Sequence, residues 1–189
     1  HQNTFEKANT YQALSTSYFS HDSLLVCHKI GTKGIELAIE SKNYTALANL
    51  YRIRGYVYTA WGNYPKAIEF FTKAINIGQK SGDLDVQVAG FHGMGRVYNE
   101  LNDNKQAERA FLQSLNLIND KNNDSKLRAI FNDLGVLYMK EKEYKKSIDF
   151  LEKSMAISLK SKDSASYIFA LVNIGEVYRF SGNLKKAEN

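Results

Sequence analysis

Apolar residues recur along the chain at steps of three and four, the spacing of an amphipathic helix. The clearest case follows Pro65, where small and apolar residues lie on one predicted helix face and charged residues lie on the opposite face. Pro65 itself indicates a helix start, because the first N–H groups of a helix have no internal partner. The apolar face of this predicted helix consists of Ala67, Ile68, Phe71, Ala74, Ile75 and Gly78.

The helical pattern repeats every 40 residues. A glycine and, three positions later, a tyrosine recur in register as Gly55 and Tyr58, Gly95 and Tyr98, Gly135 and Tyr138, and Gly175 and Tyr178. Twelve positions after each glycine stands a small residue, and four further on a large apolar one: Ala67 and Phe71, Ala107 and Phe111, Ser147 and Leu151, then Ala187 alone. Turn-forming stretches such as Trp61-Gly62-Asn63-Tyr64 lie between the halves. Each unit is therefore predicted to be two helices joined by a tight turn.

A fainter unit precedes these four, with Ser15, Tyr18 and Cys27 at the glycine, tyrosine and small-residue positions. Terminal repeats often depart from the pattern. We expect a single array over residues 1–189, with an atypical unit at about 8–47, units at about 48–87, 88–127 and 128–167, and a truncated one at 168–189. Since the last unit stops just inside its second helix, we expect the parent protein to continue past Asn189.

These motifs resemble the tetratricopeptide repeat (TPR) family. One unit matches the family's pattern well, with Tyr51, Gly55, Tyr58, Ala67, Phe71 and Ala74. The resemblance implies an all-α fold, a right-handed α-solenoid of antiparallel helix hairpins in which stacked neighbours supply the core. Two departures are Arg54, at a normally apolar position, and a period of 40 instead of the family's usual 34, which suggests longer helices.

In such a stack the first helix of each unit lines one wall, so its exposed residues form the expected ligand surface. Five of the six arginines lie on predicted first helices. Arginine binds carboxylates in a bidentate manner, so this placement suits an acidic protein or peptide. The alternative is that these arginines pair with neighbouring Glu or Asp and cover apolar surface. The candidate ligand-binding residues are Asn49, Arg52, Tyr56, His92, Arg96, Asn99, Asn132 and Arg179, with Trp61 as a further aromatic candidate.

One known ligand mode of the family is absent. Members that bind chaperone tails hold two carboxylates with a set of lysine, asparagine and arginine side chains. The corresponding positions here hold Arg52, Tyr56, Gly93, Ala129 and Asp133. We therefore do not expect a chaperone-tail adaptor.

Composition and charge exclude several other classes. The net charge of +5 comes from 25 basic and 20 acidic residues with interspersed signs, so we expect no nucleic-acid partner. A single cysteine excludes a disulfide-stapled fold and a Cys-based zinc module. No apolar stretch is long enough to span a bilayer, so no direct membrane insertion of this segment is expected.

No residue set indicates catalysis, and we expect neither a cofactor nor a metal. His21 and His28 are seven positions apart on a predicted helix, but no cysteine or carboxylate completes a ligand set. Cys27 occupies a small packing position, which favours a buried, inert thiol. Gly93 and Gly95 lie within a predicted helix and do not form a phosphate loop.

The resemblance implies a non-catalytic module that binds a protein or peptide. Openings such as Asp22-Ser23-Leu24-Leu25 and links such as Ser81-Gly82-Asp83 look like the TPR sensor regions that precede bacterial sensor histidine kinases and related regulators. We therefore expect the sensing or partner-binding region of a larger two-component signalling protein, with the periplasm favoured over the cytoplasm. The alternatives are a freestanding scaffold for complex assembly and a peptide-regulated phosphatase-like protein acting on response regulators. The open C-terminal end could also self-associate.

Overall fold

The computed structural model describes residues 2–118 and 123–183, which form nine α-helices and no strand. The predicted all-α helical repeat fold is thereby confirmed. The helices are α1 (Gln2–Ser20), α2 (Leu24–Glu40), α3 (Tyr44–Ala60), α4 (Tyr64–Ser81), α5 (Leu84–Glu100), α6 (Asn104–Asn116), α7 (Asp124–Lys140), α8 (Tyr144–Lys160) and α9 (Ser164–Phe180). The predicted position of Ala187 lies outside the described residues.

The 40-residue period arises from two equal halves. Six of the described helices are 17 residues long, and three-residue turns such as 41–43 and 61–63 follow them. Each of these turns contains one residue in the left-handed backbone region, which ends a helix sharply. Among the described residues, which do not include position 122, such residues recur at a spacing of 20: Asp22, Lys42, Gly62, Gly82, Asn102, Lys142, Lys162 and Gly182.

Several turns also define the start of the next helix. The side chains of Asn43, Asn63, Asp103 and Asp163 each accept a hydrogen bond from the backbone N–H three residues further on. Such an N-cap satisfies one of the free donors at a helix start. Pro65 lies in the first turn of α4, as predicted.

The chain divides into two compact units, unit 1 up to Val97 and unit 2 from Tyr98 onward. In unit 1, α1 packs on α2 and α3, and α3 packs on α2 and α4. In unit 2, α7 packs on α6 and α8, and α9 packs on α8. Each unit is thus a stack of consecutive antiparallel helices.

Glycines in the first helices make room for the large residue of the second helix. In unit 1 the ring of Phe71 lies between Gly55 and Gly93, and a Cβ atom would stand 2.6 Å from the ring at position 55 and 2.5 Å at position 93. In unit 2 a Cβ at Gly135 would stand 2.6 Å from Leu151. Since real Cβ contacts are longer, any other residue at these positions would overpack the core.

Serine replaces alanine at small positions of unit 2 without leaving a buried hydroxyl unsatisfied. Ser147 Oγ donates to the carbonyl oxygen of Gly135 at 2.7 Å, and Ser154 Oγ donates to that of Arg128 at 3.1 Å. Both serines are buried. The hydroxyls therefore link α8 to α7 while keeping the small volume that the helix contact requires.

The N-terminal hairpin consists of α1 and α2. Cys27 is 1% exposed, its Sγ donates to the carbonyl oxygen of Ser15 at 3.3 Å, and burial raises the pKa of its thiol. The predicted burial of this thiol is therefore confirmed, and a raised pKa makes a thiol a weaker nucleophile at neutral pH. Buried Asn43 fixes α1 by donating to Asn9 Oδ1 at 2.7 Å and to the carbonyl oxygen of Phe5 at 3.4 Å.

One local prediction is wrong. His21 does not share a helix with His28, because α1 ends at Ser20 and the left-handed Asp22 forms the turn that contains His21. His28 lies in α2 and is half-buried, whereas His21 is exposed. Within the described part of the chain, no cluster of three potential metal ligands is found and no helix is both long and apolar enough to cross a membrane.

Candidate ligand-binding surface

The predicted residues of α3 form one connected group in unit 1, which we call the α3 surface: Asn49, Arg52 and Tyr56. Arg52 Nη2 donates to Asn49 Oδ1 at 3.2 Å, and its guanidinium carbon lies 5.9 Å from the centre of the Tyr56 ring. The Tyr56 hydroxyl donates to the carbonyl oxygen of Ala89 in α5 at 3.0 Å. All three side chains are half-buried, so the surface is held in place before any ligand arrives.

The α5 candidates have different surroundings. His92 is half-buried and Arg96 is exposed, and both already interact with other groups of the protein. Asn99 Oδ1, in unit 2, accepts a hydrogen bond from Lys140 Nζ in α7 at 3.0 Å. These side chains would have to exchange existing interactions on binding a ligand.

The remaining candidates of unit 2 have partners within the fold. Asn132 Oδ1 in α7 accepts from Asn173 Nδ2 in α9 at 3.0 Å. Arg179 Nη2 lies 3.4 Å from Glu176 Oε1, and its guanidinium carbon lies 4.4 Å from the centre of the Phe180 ring. The asparagine pair was not expected from the sequence, because Asn132 and Asn173 occupy different repeat positions.

The arginines of the first helices differ in whether they form an ion pair with a described carboxylate. Arg128 forms an ion pair with Asp163, and Arg179 forms one with Glu176. The pKa of Asp163 is held below its ordinary value by hydrogen bonds from the Ser166 backbone and hydroxyl, and then by Arg128. Arg52 forms no ion pair with any carboxylate in the described ranges. Internal pairing therefore accounts for Arg128 and Arg179 and not for Arg52.

A second cluster of unit 1 was not predicted from the sequence. Trp61, expected on the ligand surface, lies in the turn after α3, with its ring centre 5.1 Å from that of His28 and 5.7 Å from that of Tyr58. Lys66 Nζ lies 5.3 Å from the centre of the Tyr58 ring. The sequence did not predict the contact between His28 and Trp61, because these two residues belong to successive repeats whose local sequences differ.

The repeated hairpins and the surface of their first helices are features of a helical-repeat module for protein interaction. The tetratricopeptide repeat family model matches residues 46–120 and 126–189, so the chain belongs to this family. Repeats of this family are generally non-catalytic binding modules. No curated protein sequence matches the chain.

Solved structures with the same fold come from different kinds of protein. BtubC from P. vanneervenii is 18% identical with a TM-score of 0.70, and the match covers 99% of this chain and 86% of that one. A STAND protein with a tetratricopeptide repeat sensor from Pyrococcus horikoshii is 19% identical with a TM-score of 0.81, covering 98% and 29%. Aspartyl phosphate phosphatase F from Bacillus subtilis is 15% identical with a TM-score of 0.77, covering 97% and 57%. The chain thus spans less than a third of the STAND protein, and these likenesses establish the fold.

Proposed function

We propose that the chain is the ligand-sensing or partner-binding region of a larger bacterial signalling protein of the two-component sensor kinase type. We further propose that the α3 surface of unit 1 binds a carboxylate of an acidic peptide or protein segment. The observation that carries the proposal is Arg52, a half-buried cation that is held by Asn49 and Tyr56 and lacks a carboxylate partner among the described residues.

The chemistry of Arg52 suits this role. A guanidinium offers five N–H donors in a planar fork, and Asn49 Oδ1 occupies one of them. The remaining donors can bind a carboxylate in a bidentate manner, which is stronger and more directional than a single neutral hydrogen bond. The Tyr56 ring, 5.9 Å from the guanidinium carbon, and the bond to Asn49 restrict the Arg52 side chain, so less side-chain entropy is lost when a ligand binds.

The sensor role is supported by the Pyrococcus protein, in which a tetratricopeptide repeat region of the same fold is named as the sensor. We extend the proposal to location and favour the periplasm over the cytoplasm. The test is the sequence of the coding region on both sides of this segment. A membrane span followed by a kinase or DNA-binding domain is the expected result. A stop codon after one further helix would contradict it and leave a freestanding scaffold.

Peptide binding is tested by isothermal titration calorimetry with acetylated peptides rich in Glu and Asp. Arg52→Glu should weaken binding by at least about tenfold, the loss of one charge-assisted bidentate contact. Arg109→Glu is the matched control, because Arg109 is exposed on the second helix α6 and carries the same charge change. Equal affinities of the Arg52→Glu and Arg109→Glu variants would refute the α3 surface as the binding site.

A second candidate function is a peptide-regulated protein that dephosphorylates response regulators. Support comes from the likeness to phosphatase F and to RapI, which is 19% identical with a TM-score of 0.77 and of which the match covers 50%. An assay with a phosphorylated response regulator distinguishes the two functions. Faster loss of aspartyl phosphate in the presence of this protein would favour the phosphatase, and an unchanged rate favours the binding module.

A further inference from the structure

Three helix ends meet at one edge of unit 1, which we call the turn edge. The start of α2, the end of α3 and the start of α4 are neighbours there, because α3 packs against both other helices and runs antiparallel to each. The edge is distinct from the α3 surface, and its side chains are His28, Tyr58, Trp61 and Lys66.

The turn edge carries positive charge with little to balance it. Lys66 and Arg54 both act on His28 electrostatically, and neither forms an ion pair with a carboxylate in the part of the chain that the structure describes. The acidic residues nearest in sequence are Asp22, which precedes α2 and forms no ion pair with a described residue, and Glu69, which is paired with Lys73 and on which Lys66 acts less strongly. Neither α2 nor α4 has an acidic residue in its first turn, so the positive ends of both helix dipoles add to the charge.

His28 is the polar group at the centre of this edge. Its Nδ1 atom is buried and has no hydrogen-bond partner among the described residues. Burial, followed by Arg54 and Lys66, lowers the pKa of its imidazole, which favours the neutral ring. Because a buried N–H is rarely left without an acceptor, the proton of the neutral ring belongs on Nε2, which is then a donor with no partner in the described fold.

Aromatic rings wall the edge on one side. Trp61 is 43% exposed and its ring stands edge-on to Tyr58, with the ring centres 5.7 Å apart. Lys66 Nζ lies over the Tyr58 ring, 5.3 Å from its centre. A group bound here would contact the exposed Trp61 indole and accept hydrogen bonds from the Lys66 ammonium and the His28 ring N–H.

We propose that the turn edge binds an oxyanion, a carboxylate or phosphate group presented by a partner or free in solution, through Lys66 Nζ and His28 Nε2 and against the Trp61 ring. Arg54 stays bonded to the carbonyl oxygen of His28 and to Thr32 Oγ1, and it contributes only its charge. The bound group would neutralise two cations, Lys66 and Arg54, that form no ion pair with any described carboxylate.

The single tryptophan of the chain makes this proposal directly measurable. Trp61 fluorescence is titrated with inorganic phosphate and, separately, with an acetylated triglutamate amide, against sodium chloride at matched ionic strength. We expect a saturable change with at least one probe at millimolar concentrations, about the affinity of a few polar contacts. Saturation with phosphate alone identifies a phosphate source, and saturation with the peptide identifies a carboxylate source.

The variants separate a specific site from general charge attraction. Lys66→Gln should weaken the saturable response at least about fivefold, whereas Lys80→Gln should leave it unchanged, since Lys80 is exposed at the opposite end of the same helix. Arg52→Glu should also leave it unchanged, so failure here is distinguishable from failure of the α3 surface. A response with neither probe, or equal responses of the Lys66→Gln and Lys80→Gln variants, would overturn the proposal.

Discussion

Arg54 in α3 occupies the space that Gly31 in α2 leaves open. Its Nη2 atom would lie 4.0 Å from a Cβ at position 31, and it donates to the carbonyl oxygen of His28 at 2.7 Å. Position 31 corresponds in the repeat to Phe71, Phe111 and Leu151. The absence of a large side chain at position 31 therefore explains why arginine replaces the apolar residue expected at position 54.

This relationship predicts that the two positions are energetically coupled. Gly31→Leu alone would drive its side chain into Arg54 and should cost about 1–3 kcal/mol of the free energy of unfolding. Arg54→Leu alone loses the hydrogen bonds to His28 and Thr32 and should cost a similar amount. The double variant restores the pattern of the other repeats and should cost less than the sum of the two single changes. A double-mutant cycle by urea unfolding measures the coupling, and strict additivity would contradict it.

Two helical glycines should respond oppositely to alanine. Gly93→Ala would place a Cβ 2.5 Å from the Phe71 ring, so overpacking should lower the free energy of unfolding by about 1–3 kcal/mol. Gly31→Ala is the matched control, because its Cβ would lie 3.6 Å from Ser15 Oγ, an ordinary contact. Its better helix propensity should stabilise the protein by up to about 1 kcal/mol. Thermal unfolding of both variants checks the prediction, and equal melting temperatures would show that the packing around Phe71 is misassigned.

Replacing Asn43 should lower the free energy of unfolding more than replacing Asn63, the N-cap at the start of the next helix. Asn43→Ala removes an N-cap and the buried bonds to Asn9 and Phe5, so we expect a loss of about 2–3 kcal/mol. Asn63→Ala removes only an exposed cap bond to Lys66 N and should cost about 1 kcal/mol. Chemical denaturation of the two variants gives the difference. If the two costs were equal, Asn43 would not be the residue that anchors α1.

His28 should make the protein less stable in mild acid. Its pKa is lowered in the folded state by burial, Arg54 and Lys66, so the unfolded chain binds the proton more readily. Stability is therefore complete above the ordinary histidine pKa of about 6.5 and falls as the pH drops below it through the folded pKa. Urea unfolding at several pH values, with His28→Gln as the comparison, measures this contribution. A parallel pH dependence of the two proteins would assign the effect to another group.

Asp163 affects the free energy of unfolding at a lower pH than His28 does. The pKa of Asp163 is lowered by its bonds to Ser166 and Arg128, so its contribution to stability is present at neutral pH and is lost only as the pH falls below the ordinary aspartate value of about 3.9. The loss of stability through His28 begins at a higher pH, below the ordinary histidine value of about 6.5, so the onsets of the two effects can be separated in one series of unfolding curves.

Much of the fold could be predicted because its determinants are local or periodic. The recurring glycine, tyrosine and small residues predicted the helix pairs, and the turn after Ala60 lies where the sequence placed it. His21 was wrongly placed in a helix because the turn that contains it has no glycine or proline. Asp22 takes the left-handed conformation of that turn.

The candidate ligand surface was predictable only in part. The register of the repeats placed Asn49, Arg52 and Tyr56 on one face of α3, since residues three and four apart share a helix face. The sequence could not tell whether an arginine is paired. That Asp163 approaches Arg128 depends on how α9 packs near α7, a contact between residues 35 positions apart.

The sequence by itself determined the helical repeat, its 40-residue period and the residues that face the core, because helix periodicity, turn chemistry and residue volume act over short distances. Only the tertiary structure decided that Arg54 fills the space beside Gly31, that Arg52 has no carboxylate partner among the described residues, and that His28 meets Trp61 and Lys66. These relationships join side chains of different helices, and they depend on packing distances that no spacing along the chain encodes.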